Sequence, residues 1–404
     1  MTTTTIALKA PAGEDLLPWR DPEFVKAPWP WFARVREQYP VLLLEDGTLV
    51  VSRYVDVTEH LRSQELVAVS PDGIGDSPWV ANTNSVLMTE GERHTRIHKS
   101  FRKWLTPKNA AGMAEIAAES TRAALAHIGP DGIINAHAYL GVQPAQDAMA
   151  DFLDIPREDG MPYIIATNQT MDSMGWQPTD EEKLLAREGF GYMMFQVDRL
   201  IKEKRKNPGD GLLDELIRIN DEGGLSDREL KESVQILWGS AAHNPGYVIA
   251  SAMADLASYP EAWKAYRENP DARTAIINEI FRRALPEVLV DRFATEPYEI
   301  RGVAVQPGQM VRFLLGAAVR DPEVFSDPDG FDWTRPPAAS MSIAFGAGTH
   351  ACCGQAVARI EIRAILDVLA ERFEKIEIVG EPQWVFSDRH RNCEELFVRL
   401  TEQA

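Results

Sequence analysis

At 404 residues, of which 45% are hydrophobic and 25% charged, the chain has the balance of a globular enzyme and not of a fibrous or disordered protein. Its net charge of -19 excludes nucleic acid as the main partner, because binding a polyanion needs concentrated Lys and Arg. The three cysteines, Cys352, Cys353 and Cys393, are too few for a disulfide framework, and two are adjacent, so a reducing, cytoplasmic location is expected.

The N-terminal stretch MTTTTIALKAPAGEDLLPWRD has no apolar h-region, and about residues 1–20 read as a flexible segment. No run approaches the roughly 18 continuous apolar residues of a membrane span, so neither export nor membrane insertion is expected. VLLLEDGTLVVS, from Val41 to Ser52, predicts a hairpin: two apolar runs about a Glu-Asp-Gly turn. Ser70 to Glu92 is rich in Gly, Ser, Pro and Asn and predicts a long loop. Loops longer than about a dozen residues inside a compact domain are usually functional.

Helical periodicity then dominates. NAAGMAEIAAESTRAALAHI, DEEKLLAREGFGYMMFQVDRLIKEKRKNP and SDRELKESVQILWGSAAHNPGYVIASAMADLASYP all carry i, i+3, i+4 apolar spacing. The third opens on Ser226 and Glu229 as a capping box. It is expected to break near Pro245-Gly246, where a proline removes a backbone donor at a cost of about 3 kcal/mol. PDARTAIINEIFRRALPE predicts a further helix, and YEIRGVAVQPGQMVRFLL predicts two strands about a Pro-Gly turn. Asp321 to Pro337 reads as loop, followed by a glycine-rich turn and a helix to about Phe373. The expected fold class is mainly α with small β-sheets near the two ends of the sequence.

The chemistry concentrates in SIAFGAGTHACCGQAVARIEI, Ser342 to Ile362. Gly346 and Gly348 permit backbone conformations closed to other residues and let the chain approach a ligand closely. Cys352 falls near a helix start, where exposed N–H donors favour a thiolate suited to a metal or to nucleophilic attack. Three plainer readings compete. A structural zinc site wants four ligands, and only His350 and Cys352 have near-suitable spacing. A dinucleotide loop wants a strand before it and a βαβ unit around it. Inert buried cysteines are common but leave the neighbouring Phe, Gly and His without a reason.

FGAGTHACCG resembles the haem-binding loop of the cytochromes P450, Phe-Gly-x-Gly-x-His-x-Cys-x-Gly, with every fixed position met by Phe345, Gly346, Gly348, His350, Cys352 and Gly354. The resemblance extends over roughly residues 20 to 400. It implies a single domain of cytochrome P450 fold over residues 1–404, holding haem b with Cys352 as the proximal thiolate on iron. Glu279 and Arg282 match the family's structural Glu-x-x-Arg pair, which taken alone would be a routine i, i+3 surface ion pair. Arg292 matches a haem-propionate partner. His94 is similar to a second, and His98 stands where the family often has Arg. His94, Arg292 and His350 would offset buried propionate charge.

The sequence departs from the family at SAAHN, Ser240 to Asn244. The family's acid and alcohol, which deliver protons during oxygen activation, are replaced there by His243 and Asn244. Imidazole titrates near neutrality and can shuttle protons; an amide can hold a hydrogen bond but relays a proton less readily than a hydroxyl. The plain alternative is that His243 faces a neighbouring helix and satisfies a polar group there. The Pro-Gly pair beside it is similar to a subset of the family that O-demethylates small methoxyarenes. By family position, substrate contacts would come from Trp79 and Met88, from Trp238, Ser240 and Ala241, and from Val288, Leu289 and Val290, although Trp and Leu at such positions are more often plain core.

The resemblance therefore implies a monooxygenase that acts on a small, aromatic or secondary-metabolite substrate by hydroxylation or O-demethylation. Electrons would come from a ferredoxin and its reductase, docking near Lys99, Arg102, Lys103 and Arg363. No nucleic-acid or membrane partner is implied. Oxidative coupling, dehydration or peroxide-driven chemistry is the alternative that the missing alcohol suggests, and a non-catalytic haem-binding sensor is a third.

Overall fold

Three-residue strands, long capped helices and a proline buried inside one helix set the architecture of the computed structural model, which describes residues 9–11, 14–174, 178–336, 343–387 and 389–403. The chain forms two compact units. The first takes in residues up to Gly75, Phe281–Cys352 and Trp384–Asn392; the second takes in Asp76–Ile280, Cys353–Gln383 and the stretch from Cys393 onward.

A five-stranded sheet is the centre of the first unit, in the order Val41–Leu43, Leu49–Val51, Met310–Phe313, Val290–Ala294, Leu66–Val67. The expected hairpin forms with Val41 opposite Val51 and Leu43 opposite Leu49. Leu49–Val51 pairs in parallel with Met310–Phe313, and the other pairings are antiparallel. Leu49, Val50 and Val51 are all buried, which fits a strand packed on both faces. One cluster gathers Val41, Leu61, Val311, Phe313 and Ile343. The other gathers Leu16, Leu17, Phe24, Phe32, Leu42, Leu289 and Leu314, with Trp19 edge-on to Phe24 at 5.2 Å.

The segment from Tyr298 to Phe313 differs from the expected pair of strands. Tyr298–Ile300 and Val303–Val305 form their own antiparallel hairpin, turning at Arg301 and Gly302 with φ of 52° and 79°. The Pro307-Gly308 turn instead leads to Met310–Phe313 in the larger sheet. Positive φ at both turn positions is what a two-residue hairpin loop needs, and the Gly302 signal was overshadowed by the more conspicuous Pro-Gly.

The second unit is helical. Its helix Asp180–Lys206 begins with a Thr179/Glu182 capping box, three acids in the first turn and three bases in the last, an arrangement matched to the helix dipole. Asp227–Ser258 also opens on the expected box, with Ser226 N–H donating to Glu229 at 2.9 Å and Glu229 N–H to Ser226 Oγ at 3.2 Å. Arg96 and Arg93 also bind that carboxylate, at 2.7 and 2.9 Å. Hydrogen bonding led by Arg96 outweighs burial and brings Glu229 down to about 2.

Asp227–Ser258 runs unbroken through Pro245, so the expected break is absent. The physical reason is packing. This helix is buried on most of its faces, and tertiary contacts offset one lost hydrogen bond. Its neighbours include Gln143–Leu153 and the π-helical turn Ala136–Val142. The loop from Ser70 to Glu92 contains two short 3₁₀ turns, Pro78–Asn82 and Val86–Met88. The helix after the cysteine loop spans Gln355–Arg372, capped by Gly354, and gives way to strand at Phe373.

Candidate functional site

Within the first unit the cysteine loop is built by backbone bonds across a glycine-rich turn. Gly346 N–H donates to the Ile343 carbonyl at 3.0 Å, Ala351 N–H to Gly348 at 3.1 Å, and Cys352 N–H to Phe345 at 2.8 Å. Gly346 and Gly348 adopt φ of 71° and 73°. At Gly348 space also decides, since a Cβ would lie 2.3 Å from the Leu61 carbonyl oxygen. Phe345 packs on Phe281 at 4.8 Å. Cys352 is exposed, Cys353 half-buried and Cys393 buried. Burial pushes the Cys353 thiol above its ordinary range, so it stays protonated and is a poor metal ligand.

Arg292 lies in a cluster that the antiparallel register assembles, with Asp291 opposite Arg312. Asp291 accepts two bonds from Arg312, at 2.8 and 3.0 Å, and one from Arg389 at 2.9 Å, while Arg292 Nη1 donates to the Asp291 carbonyl at 2.7 Å. Burial raises the Asp291 carboxyl, but Arg312 and then Arg389 outweigh it and hold it below its usual range. Arg312 and Arg389 bond the Asp291 carboxylate and Arg292 lies beside it, so cationic groups are concentrated here. Arg282 is fully buried and donates to the carbonyls of Val319, Pro328 and Gly330 at 2.8, 2.8 and 3.1 Å. Glu279, three residues earlier, is buried as well. Val288 and Leu289 are buried in the cluster around Phe32 and Leu314, and Val290 is half-buried beside the first cluster. His350 is half-buried.

Within the second unit, His94 and His98 stack at 5.6 Å on one face of Gly91–Arg102, with His94 buried. His243, also buried, donates Nδ1–H to Asn168 Oδ1 at 2.8 Å and meets Tyr247 edge-on at 4.8 Å. Donation from Nδ1 selects the tautomer whose lone pair is on Nε2. One residue on, the buried Asn244 Oδ1 has no hydrogen-bond partner among the described residues. Lys99, Arg102 and Lys103 are exposed, and Arg363 is half-buried. Lys103 bonds Glu215 at 2.6 Å, and Arg363 lies 3.6 Å from Asp367.

The same unit has a small pocket that opens to solvent. Trp79 and Ser240, both named from sequence, line it. Trp79 meets Phe190 edge-on at 5.1 Å. Trp238 stacks on Tyr163 at 3.6 Å, Ala241 and Met88 are half-buried, and none of these three is in the pocket lining. Sequence reasoning missed Asn82, Gln235 and the helix Gly160–Asp172, whose Thr167, Thr170 and Met171 complete the wall. Asn82 does lie in the loop singled out as functional. Gln235 offered only a polar residue one turn before Gly239 in an apolar run.

A thiolate-ligated haem fits these residues. The first unit offers an exposed cysteine on a glycine turn and, at Arg292 and Arg312, buried guanidiniums of the kind that pair with carboxylates.

The comparisons point the same way. A family model described as Cytochrome P450 matches residues 187–386. A luteothin monooxygenase of Streptomyces thioluteus is 28% identical over 91% of this chain and 89% of its own length. A vitamin D(3) 25-hydroxylase of Pseudonocardia autotrophica is 28% identical over 90% of this chain and 91% of its own. Among solved structures, P450BioI in complex with an acyl carrier protein superposes with a TM-score of 0.87 at 22% identity, covering 94% of this chain and all of that one. At that identity the likeness is one of fold. No helix among the described residues is long and apolar enough to cross a membrane.

Proposed function

This chain belongs to the cytochrome P450 family and is a haem b monooxygenase, and from that premise we propose that it oxidises a small aromatic substrate by hydroxylation or O-demethylation. Its electrons come from a ferredoxin and its reductase, and it works in the cytoplasm. The observation that carries the substrate class is the pocket wall, where Trp79, Phe190, Met171, Met193 and Ile236 are apolar and no charged residue contributes. The relatives named as a monooxygenase and a hydroxylase support oxygen insertion as the reaction.

When bound, the haem supplies reductive activation of dioxygen at a thiolate-ligated iron. Cys352 provides the sulfur, and Gly346 and Gly348 hold the turn open behind it. Arg292 is assigned to pair with the haem's carboxylate groups, which would otherwise be costly to bury. His350 is assigned as a further polar contact to the same groups. Asn244 Oδ1 accepts a hydrogen bond from a water, and His243, oriented by Asn168, exchanges a proton at Nε2. The apolar wall orients the substrate ring and excludes water.

Asn244 in place of an alcohol favours one second reading, in which the enzyme uses peroxide directly or carries out coupling or dehydration instead of ordinary oxygenation. Product analysis of the haem-loaded protein, with reductant and dioxygen against peroxide alone, separates the two. Oxygenated product with ferredoxin, reductase and dioxygen is expected. Product only with peroxide selects the second reading, and no turnover with any electron source leaves a haem-binding sensor.

A further inference from the structure

The pocket of the second unit contains two buried amides, Asn82 at 1% and Gln235 at 2% exposure. They meet each other in a single long hydrogen bond, Asn82 Nδ2 to Gln235 Oε1 at 3.4 Å. The other atom of each amide, Asn82 Oδ1 and Gln235 Nε2, is buried without a partner among the described residues, and so is Trp79 Nε1. An unsatisfied buried polar atom is costly, and such atoms in a pocket wall mark where a ligand group completes the bonding.

Two of the three other polar side chains in the lining are committed. Thr167 Oγ1 donates to the Tyr163 carbonyl at 2.9 Å, and Thr170 Oγ1 to the Thr167 carbonyl at 2.8 Å. Tyr163 fixes the Gln235 stretch by donating its hydroxyl to the Gln235 carbonyl at 3.2 Å. What the wall has left is the Asn82 acceptor beside the Gln235 and Trp79 donors, together with the half-buried Ser240 hydroxyl. This donor–acceptor pair is present in either orientation of the two amides. Flipping both exchanges the roles of Asn82 and Gln235 and again leaves one donor and one acceptor. With no charged residue in the lining, nothing there offsets the burial of an ionised group.

We propose that the Asn82–Gln235 pair anchors a neutral carboxamide or lactam group of the substrate. Its carbonyl accepts from Gln235 Nε2 while its N–H donates to Asn82 Oδ1, and the aromatic body lies against Trp79 and Phe190. The inference rests on the oxygenase reading above and names the substrate class of that same pocket. It predicts discrimination by polarity and charge: an amide is preferred over a ketone of the same shape, and both are preferred over a carboxylate.

The experiment uses the haem-loaded full chain and isothermal titration with 4-methoxybenzamide, 4-methoxyacetophenone and 4-methoxybenzoate. The amide is expected to bind about tenfold tighter than the ketone and about a hundredfold tighter than the benzoate. Asn82→Leu, checked by its carbon monoxide spectrum, removes the acceptor of the amide N–H and should cut the amide preference severalfold or abolish it while leaving ketone affinity within about twofold, whereas Gln235→Met removes the donor to the carbonyl and should weaken amide and ketone together. Benzoate binding as tightly as the amide overturns the proposal, as does an amide preference that survives Asn82→Leu, or no saturable binding by any of the three. The wild-type series decides even where a variant fails to fold. A protein with the thiolate carbon monoxide band but no amide preference sinks this inference alone, whereas one without the band sinks the oxygenase reading.

Discussion

Gly141 and Gly246 meet backbone against backbone: a Cβ on Gly141 would lie 2.5 Å from the Gly246 carbonyl oxygen, and one on Gly246 would lie 2.7 Å from Val142 Cγ2. The π-helical turn and the long helix therefore approach as closely as bare backbones allow, next to Pro245. Proline takes away a hydrogen bond that would hold the helix straight, and glycine takes away the side chain that would hold the turn off. Gly141→Ala should cost about 1–3 kcal/mol, because its Cβ strikes backbone that cannot rotate aside. Gly246→Ala should cost less, since its nearest contact is the tip of a valine. Denaturant unfolding of the haem-loaded variants measures both; equal stability of Gly141→Ala and the parent would show that the contact is slack.

The two adjacent cysteines make opposite predictions. Cys352 is exposed at the end of a loop fixed by the Phe345 carbonyl, whereas burial raises the Cys353 thiol. Cys353→Ala should retain the red-shifted carbon monoxide band of thiolate coordination, with a stability loss of about 1 kcal/mol or less. Cys352→Ala should lose that band even where haem is retained. A band that follows Cys353 instead would reassign the ligand.

His243 and Asn244 are testable as a pair. On the assignment above, His243→Ala removes the atom that exchanges the proton, and product formed per electron pair should fall about tenfold or more while hydrogen peroxide rises. Asn168→Leu should move both readouts in the same direction, because it frees the ring that Asn168 orients at 2.8 Å. Both are measured as product and peroxide against cofactor consumed. Unchanged coupling in His243→Ala would return that residue to a packing role.

Local chemistry made much of this molecule legible in the sequence. The Glu-Asp-Gly hairpin, the Ser226/Glu229 box and the left-handed glycines of the cysteine loop each depend on neighbours a few residues away. What could not be read depends on distance. Asn82 and Gln235 are 153 residues apart, and neither has a local pattern that announces the other. Arg389 joins Asp291 from 98 residues away. The cost of Pro245 is local, whereas the burial that keeps its helix continuous comes from distant parts of the chain.

Glu361 carries the last prediction. It lies on Gln355–Arg372, fully buried, and its Oε1 has no partner among the described residues. Burial pushes its carboxyl up from 4.5 to about 8, so the folded chain keeps the proton at neutral pH while the unfolded chain releases it. The sign follows from linkage: a group with the higher folded value binds more protons when folded, so stability declines as pH rises from about 4.5 toward 8. Below 4.5 both states are protonated and the residue is neutral in effect. Glu361→Gln keeps the shape of the protonated acid but cannot ionise in either state. The variant should match the parent near pH 4.5 and become more stable than it by about 2–3 kcal/mol at pH 7. Urea unfolding at a series of pH values reads the difference directly. Stability differences that stay flat from pH 4.5 to 8 would mean that the carboxylate is accommodated in its charged form.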